Sequence, residues 1–422
     1  MSVVVSGMAT VVVDTGGNVY ADSVLIPELV GIDIDHVNGN TVIVAAVTKD
    51  GRAWLWGKGG RGLLGDGSSD MMPVFRGPRR IPPHIFGDCK VSMVCPSDLH
   101  LVVLDERGRL FVSGDSYEGT LGLGARRGLD RYVLIPMQIT DPEFVSVPTK
   151  FIATGYSKTI AHRVDGSVYT WGNNRCGVLG LGHDDEVFSP TRLDIATPHL
   201  IVHVSTSQHH TVFVMEDGTI RLWGLNQNGQ LGLGDKDSRR VPMTHPEIRD
   251  ATAAACGTKH IIILDRNGGV VVAGNTHCTS IDGDAKSKCM TYKAISDIPK
   301  MVSVHAGYKR TVLVSEEGAL FEFGSCRDFI NIPAFNLNNA AFRCTRTDPP
   351  TRIVHPERIR MHVYCLPQER ALAFAMLSHI RCGVESMYHG IPIEIVKKIA
   401  DAAWTPGLDG DPRRLRHECG IK

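Results

Sequence analysis

Short apolar runs, punctuated at regular intervals by glycine, dominate the chain. Thr211–Met215 and His260–Leu264 are runs of this kind, and Asp217-Gly218 and Asn267-Gly268 follow them. Runs rich in Val, Ile and Thr that end in Asp, Asn and Gly read as strands meeting at a hairpin. The same arrangement recurs. A β-rich run reaches an acidic residue or Asn and then Gly, and six residues later a second Gly follows a Trp or another apolar residue. The clearest copies run from Asp50-Gly51 to Trp56-Gly57, from Asp165-Gly166 to Trp171-Gly172, and from Asp217-Gly218 to Trp223-Gly224. Weaker copies lead to Gly114, Gly274 and Gly324, and the most degenerate starts at Gly16-Gly17. The turn glycines are 17, 51, 108, 166, 218, 268 and 318, spaced by 34, 57, 58, 52, 50 and 50 residues. Asp-Gly between two β-runs predicts a two-residue type I′ hairpin, with positive φ at both central residues.

Four copies add a second element five residues beyond the strand-ending Gly. It reads Gly62–Gly67, Gly119–Gly124, Gly177–Gly182 and Gly229–Gly234, each with a Leu that is expected to plug inward. Pro73, Pro136, Pro190 and Pro242 follow. A hairpin alone cannot bury its apolar face, so units of this length must stack. The expected fold is all-β, a seven-bladed β-propeller whose first unit is abbreviated, with a short C-terminal helical extension.

These motifs resemble the regulator of chromosome condensation repeat, whose pattern is Asp-Gly, Trp-Gly, Gly-x-Leu-Gly-x-Gly and Pro. A looser His/Lys-Thr step precedes it, as in His210-Thr211 and Lys158-Thr159. The resemblance covers residues 1–366, and residues 367–422 form a separate helical tail. It implies a propeller used as a binding platform. The repeat's namesake is a guanine-nucleotide exchange factor for a nuclear small GTPase that also docks on chromatin. Other members are non-catalytic interaction modules.

After Gly324 the repeat dissolves, and residues 325–350 read as loop. Pro350–Ile353 echoes Pro190–Leu193, so the repeat's phase resumes there. Ile359, Met361, Val363 and Cys365 alternate, which predicts a late strand that completes an early blade. Helices are expected over 368–380 and 393–404.

Composition narrows the function. The 422 residues carry 45 Lys plus Arg against 45 Asp plus Glu, which excludes nucleic-acid binding through bulk charge but not through a local patch. The 11 scattered cysteines form no CxxC pair, and the N-terminus lacks a basic, apolar leader. Both point to an intracellular protein of cytoplasm or nucleus, not secreted, with no membrane partner. The expected state is a monomer.

The candidate chemistry is sparse. The repeat tryptophans are expected in the core between blades, and His209-His210 at a strand entry. His362 and Cys365 diverge on a strand, so no metal is expected, and no catalytic residue or cofactor is assigned. The expected function is therefore a non-enzymatic protein-interaction scaffold. The alternatives are exchange on a small GTPase, or chromatin or nucleic-acid docking. For partner binding the candidates are the paired arginines Arg79 and Arg80, Arg126 and Arg127, and Arg239 and Arg240. They are expected on inter-blade loops that converge on one rim.

Overall fold

In the computed structural model the described residues are 2–353, apart from 6–9, 15–16, 22–23, 41, 69, 71–73, 88, 125–130, 196–199, 276–287, 297, 308–309 and 325–350. They belong to one compact unit, Met1–Ile330 with Arg346–Ile353. The expected strand at 359–365 and the helices at 368–380 and 393–404 lie outside the described residues.

The fold is an all-β propeller. The described strands form seven four-stranded antiparallel sheets, each from four consecutive strands. The third sheet is typical. Its inner strand is Val91–Pro96, followed by His100–Asp105, Leu110–Asp115 and the outer strand Tyr132–Gln138. Six sheets, from Ile34 to Ile353, have inner and second strands of six residues each. The first is abbreviated, with four-residue strands Ser2–Val5 and Thr10–Val13 and an outer strand of only Val24–Leu25.

The core lies between the sheets, where each seam holds its own hydrophobic cluster. Ile43, Leu55, Val94 and Leu101 pack sheet two on sheet three, and Val112, Ile152 and Trp171 pack three on four. Val12 of the first sheet packs against Val312, Val314 and Leu320 of the last, which closes the ring.

The first sheet takes its four strands from its own sequence, so it needs none from the chain's end, contrary to expectation. The last sheet is the one completed late. Its outer strand is Thr351–Ile353, with Ile353 opposite Leu320 and Arg352 opposite Phe321. Leu193 and Arg192 face Val168 and Tyr169 in the same way, so the echo between these two segments is a shared register.

The hairpin turns differ from the expected type. Gly166 N–H donates to Arg163 O at 3.1 Å, and Arg163 N–H donates to Ser167 O at 2.9 Å. Gly166 has φ +83°, whereas Asp165 is not among the non-glycine residues at positive φ. This is a three-residue loop, a type I turn closed by a left-handed glycine. The Asp selects it. Its carboxylate accepts the Ser167 N–H at 3.0 Å, a bond that fixes the loop without positive φ at the Asp itself.

The second glycine serves a different purpose. Gly172 lies against the loop that opens the second strand, and a Cβ there would stand 2.2 Å from Ser157 O. The same approach recurs at Gly57, Gly114, Gly224 and Gly274.

Candidate functional site

The glycine elements bolt each sheet to the next. Gly67, Gly124, Gly182 and Gly234 N–H groups donate to Leu134, Phe188, Arg240 and Met290 O, all on the following sheet's outer strand. The element's leucine is buried in every copy: Leu64, Leu121, Leu179 and Leu231. The tryptophans complete these seams. Trp171 Nε1 donates to Thr120 O at 3.2 Å and Trp223 Nε1 to Val178 O at 3.0 Å, each across to the preceding sheet. Both are fully buried and meet an aromatic neighbour edge-on, Phe144 and Phe213 respectively.

The polar residues suited to acid–base catalysis are used in the same way. In sheets three to six the residue opening the second strand reaches the next sheet. His100 Nε2 lies 2.7 Å from Thr159 Oγ1, with its Nδ1 2.6 Å from Ser97 Oγ. Lys158 Nζ donates to Thr211 Oγ1 at 3.0 Å and to the carbonyls of Val178 and His210. His210 Nε2 sits 3.3 Å from His260 O, and His260 Nε2 3.0 Å from Thr311 Oγ1. Each of these bases is buried. Burial pushes His100 down to about 3, His260 to about 4 and Lys158 to about 7. His210 falls well below the usual imidazole range for the same reason. His260 Nδ1 is left without a partner. At the position where His100 and His210 find Ser97 and Ser207, its loop has Gly257. Among the described residues no three His, Cys, Asp or Glu side chains gather as a metal site.

The two described arginine pairs lie on outer strands, not on the loops expected for them. Arg79 and Arg80 end the strand Val74–Arg80, whereas Arg239 and Arg240 open the strand Arg239–Thr244. Equivalent strands run in the same direction in each sheet, so the two pairs sit at opposite ends of their outer strands, although Arg79 reaches back to Asp66 of its glycine element. Arg126 and Arg127 lie outside the described residues. Carboxylates attend most of the others. Arg240 makes two bonds to Asp184 across a seam, at 3.0 and 2.7 Å. Arg239 meets Asp235 at 2.6 Å, and Arg79 stands 3.7 Å from Asp66.

A tighter grouping lies where the third strand of sheet three ends and its outer strand begins, around Arg131, the neighbour of Arg126 and Arg127 in sequence. The Arg131 guanidinium lies 5.9 Å from the Tyr117 ring centroid and 5.3 Å from that of Tyr132. Arg61, from the preceding sheet, lies 5.5 Å from the Tyr132 ring. Asp115 stands 3.5 Å from Arg131, and Glu118 stands 3.7 Å from Arg175. In sequence the only cue is Arg131-Tyr132, because Tyr117 reaches the site through the fold of its loop.

Known proteins place this architecture. The RCC1-like domain matches residues 22–365. The ultraviolet-B receptor UVR8 of Arabidopsis thaliana is 28% identical over 274 residues, which is 64% of this chain and 60% of the receptor. The human E3 ubiquitin-protein ligase HERC2 is 24% identical over 292 residues, 68% of this chain but 6% of the ligase. The chain thus spans less than two thirds of these relatives' own lengths. In structure it is similar to Prp20p of Saccharomyces cerevisiae, with a TM-score of 0.63 at 19% identity over 83% of each chain. It is similar also to human WBSCR16, with a TM-score of 0.62 at 20% identity over 73% of this chain and 78% of that one. Those likenesses are of fold. With the family match covering most of the chain, and the repeat's turns, glycine elements and tryptophans each in place, the chain belongs to the RCC1-like domain family.

Proposed function

We propose that the chain is a non-catalytic protein-interaction scaffold, a seven-bladed ring whose loops and outer strands present a partner-binding surface. One observation carries this reading. The side chains best suited to acid–base chemistry, His100, Lys158, His210 and His260, are buried and bonded across seams. Facing solvent are Arg131, Arg175 and Tyr117, of residue types that anchor protein interfaces. The thiols Cys89, Cys95 and Cys256 are buried and unbridged, which suits a reducing compartment, cytoplasm or nucleus, and a monomer is the working state.

Exchange on a small GTPase is the second reading. One observation favours it. The fold's relative Prp20p is described by its binding to Gsp1p and histones. Docking on chromatin through an arginine rim has less support, because the described pairs sit at opposite ends of their outer strands and most meet carboxylates.

Affinity purification of the full chain, paired with a nucleotide-release assay over a panel of small GTPases, separates the readings. The scaffold predicts co-purifying protein and no faster release. Accelerated release by catalytic amounts of the chain would replace it with the exchange reading.

A further inference from the structure

The grouping around Arg131 has the build of a preformed carboxylate clamp. Two rings beside a guanidinium restrict how it can turn, while its N–H groups stay available to an acceptor. The backbone beneath is fixed too, since Arg131 O accepts from Ser116 N–H at 2.8 Å and from Ser116 Oγ at 3.0 Å. Among the described residues the guanidinium's carboxylate partner is Asp115, at 3.5 Å, and it also accepts the Tyr117 N–H at 3.0 Å. Contact at that length leaves most of the fork's donors unspent.

The layering of charge selects the partner. Arg131 is 62% exposed over an Asp115 that is 6% exposed, and Arg175 is 73% exposed over a Glu118 that is 11% exposed. The acids are sunk and the guanidiniums stand above them. An approaching molecule therefore meets N–H donors first, with the exposed Tyr117 beside them. Arg240 differs, because its two bonds to Asp184 use the fork. A nucleic-acid backbone is the poorer match. Its binding grows with the number of cations that lack a counter-charge, and here each exposed arginine has a carboxylate beneath it. A protein carboxylate needs only the local fork, at contact range.

Resting on the scaffold reading, we propose that Arg131, clamped between Tyr117 and Tyr132 and flanked by Arg175, anchors an acidic segment of a partner protein. Binding would seat an Asp or Glu carboxylate on the guanidinium edge while the segment covers Tyr117. Pre-stacking means that little side-chain freedom is lost on contact.

The test uses fluorescein-labelled decaglutamate at low ionic strength, with the full chain and the variants Arg131→Lys, Tyr117→Ala and Arg240→Lys. Lysine keeps the charge and loses the flat fork. Decaglutamate should bind the wild type, and Arg131→Lys and Tyr117→Ala should each weaken it on the order of 10-fold with the melt unchanged. Arg240→Lys should bind as the wild type does. Equal binding by all four proteins overturns the proposal, as does tighter binding of a ten-nucleotide oligo-dT than of decaglutamate. Such a failure leaves the scaffold reading standing if proteins still co-purify with the chain. The absence of any co-purifying protein would sink that reading instead.

Discussion

At position 158 the repeat places a lysine where the sheets on either side place His100 and His210. The side chain is buried with no carboxylate among its hydrogen-bond partners, which are two carbonyls and the Thr211 hydroxyl. Desolvation is the first cause of its fall from 10.5 to about 7. The sign of its effect on stability follows. Between pH 7 and 10.5 the unfolded chain holds a proton that the folded chain lacks, so this site's contribution rises with pH across that window and is smallest below it. Histidine should suit the position better. Thr211 stands to residue 158 as Thr159 stands to His100, so an imidazole Nε2 could make the bond seen at 2.7 Å in the neighbouring seam. Lys158→His should therefore raise stability at pH 7 on the order of 1 kcal/mol, and flatten the alkaline rise. Urea midpoints at pH 7 and 9.5 check both, and a lower midpoint at pH 7 would count against this account of the seam.

Two glycines in one hairpin show what each element requires. Gly166 needs a left-handed backbone but has no atom within 4 Å of where a Cβ would be. Gly172, six residues on, combines φ +108° with a Cβ position 2.2 Å from Ser157 O. Gly166→Ala should thus cost ~1–2 kcal/mol, the price of the backbone alone. Gly172→Ala should cost at least about 3 kcal/mol, because the second strand would have to separate from its neighbour. Similar losses in the two variants, measured by denaturant titration, would show that the close approach relaxes cheaply. These constraints explain what was legible in the sequence. A turn glycine and a contact glycine at fixed spacing cannot be replaced easily, so they mark the second and third strands of each sheet. The outer strands were harder to see. Val187–Leu193 and Arg239–Thr244 sit at sheet edges with mixed burial, and each contains a proline, as suits an edge. They lack the alternation that marks a strand, so Arg79, Arg80, Arg239 and Arg240 read as loop residues. The Arg131 clamp was hidden for another reason, since Tyr117 and Arg131 meet only after their loop has folded.

Seen as a ring, the propeller depends on bases that must stay neutral. His100, His210 and His260 occupy three seams, with Lys158 in the one between His100 and His210, and His305, half-buried on an inner strand, is also held down at about 4. Their ordinary value is 6.5. For a base whose folded pKa is depressed, the unfolded chain binds the proton first as pH falls. Stability is therefore fully present above about 6.5, declines as pH drops toward 4, and levels off only below the folded values. At pH 5 each group that stays neutral in the fold contributes a loss of up to about 2 kcal/mol relative to neutral pH. The exposed turn carboxylates do not set this window, because Asp50 and Asp165, held at about 2 by their turn partners, change charge only at more acid pH. The hydrophobic clusters run from seam to seam and close through Val12, so an opened seam weakens its neighbours and the ring should lose structure as a unit. The urea midpoint should fall from pH 7.5 to pH 5 with little change in the slope of the transition. Replacing His100 with Gln, which keeps a hydrogen-bonding side chain toward Thr159 but cannot titrate, should remove about one group's share of that fall. A midpoint indifferent to pH across this range, or an unchanged fall in His100→Gln, would mean that the buried imidazoles protonate in place and do not govern the ring.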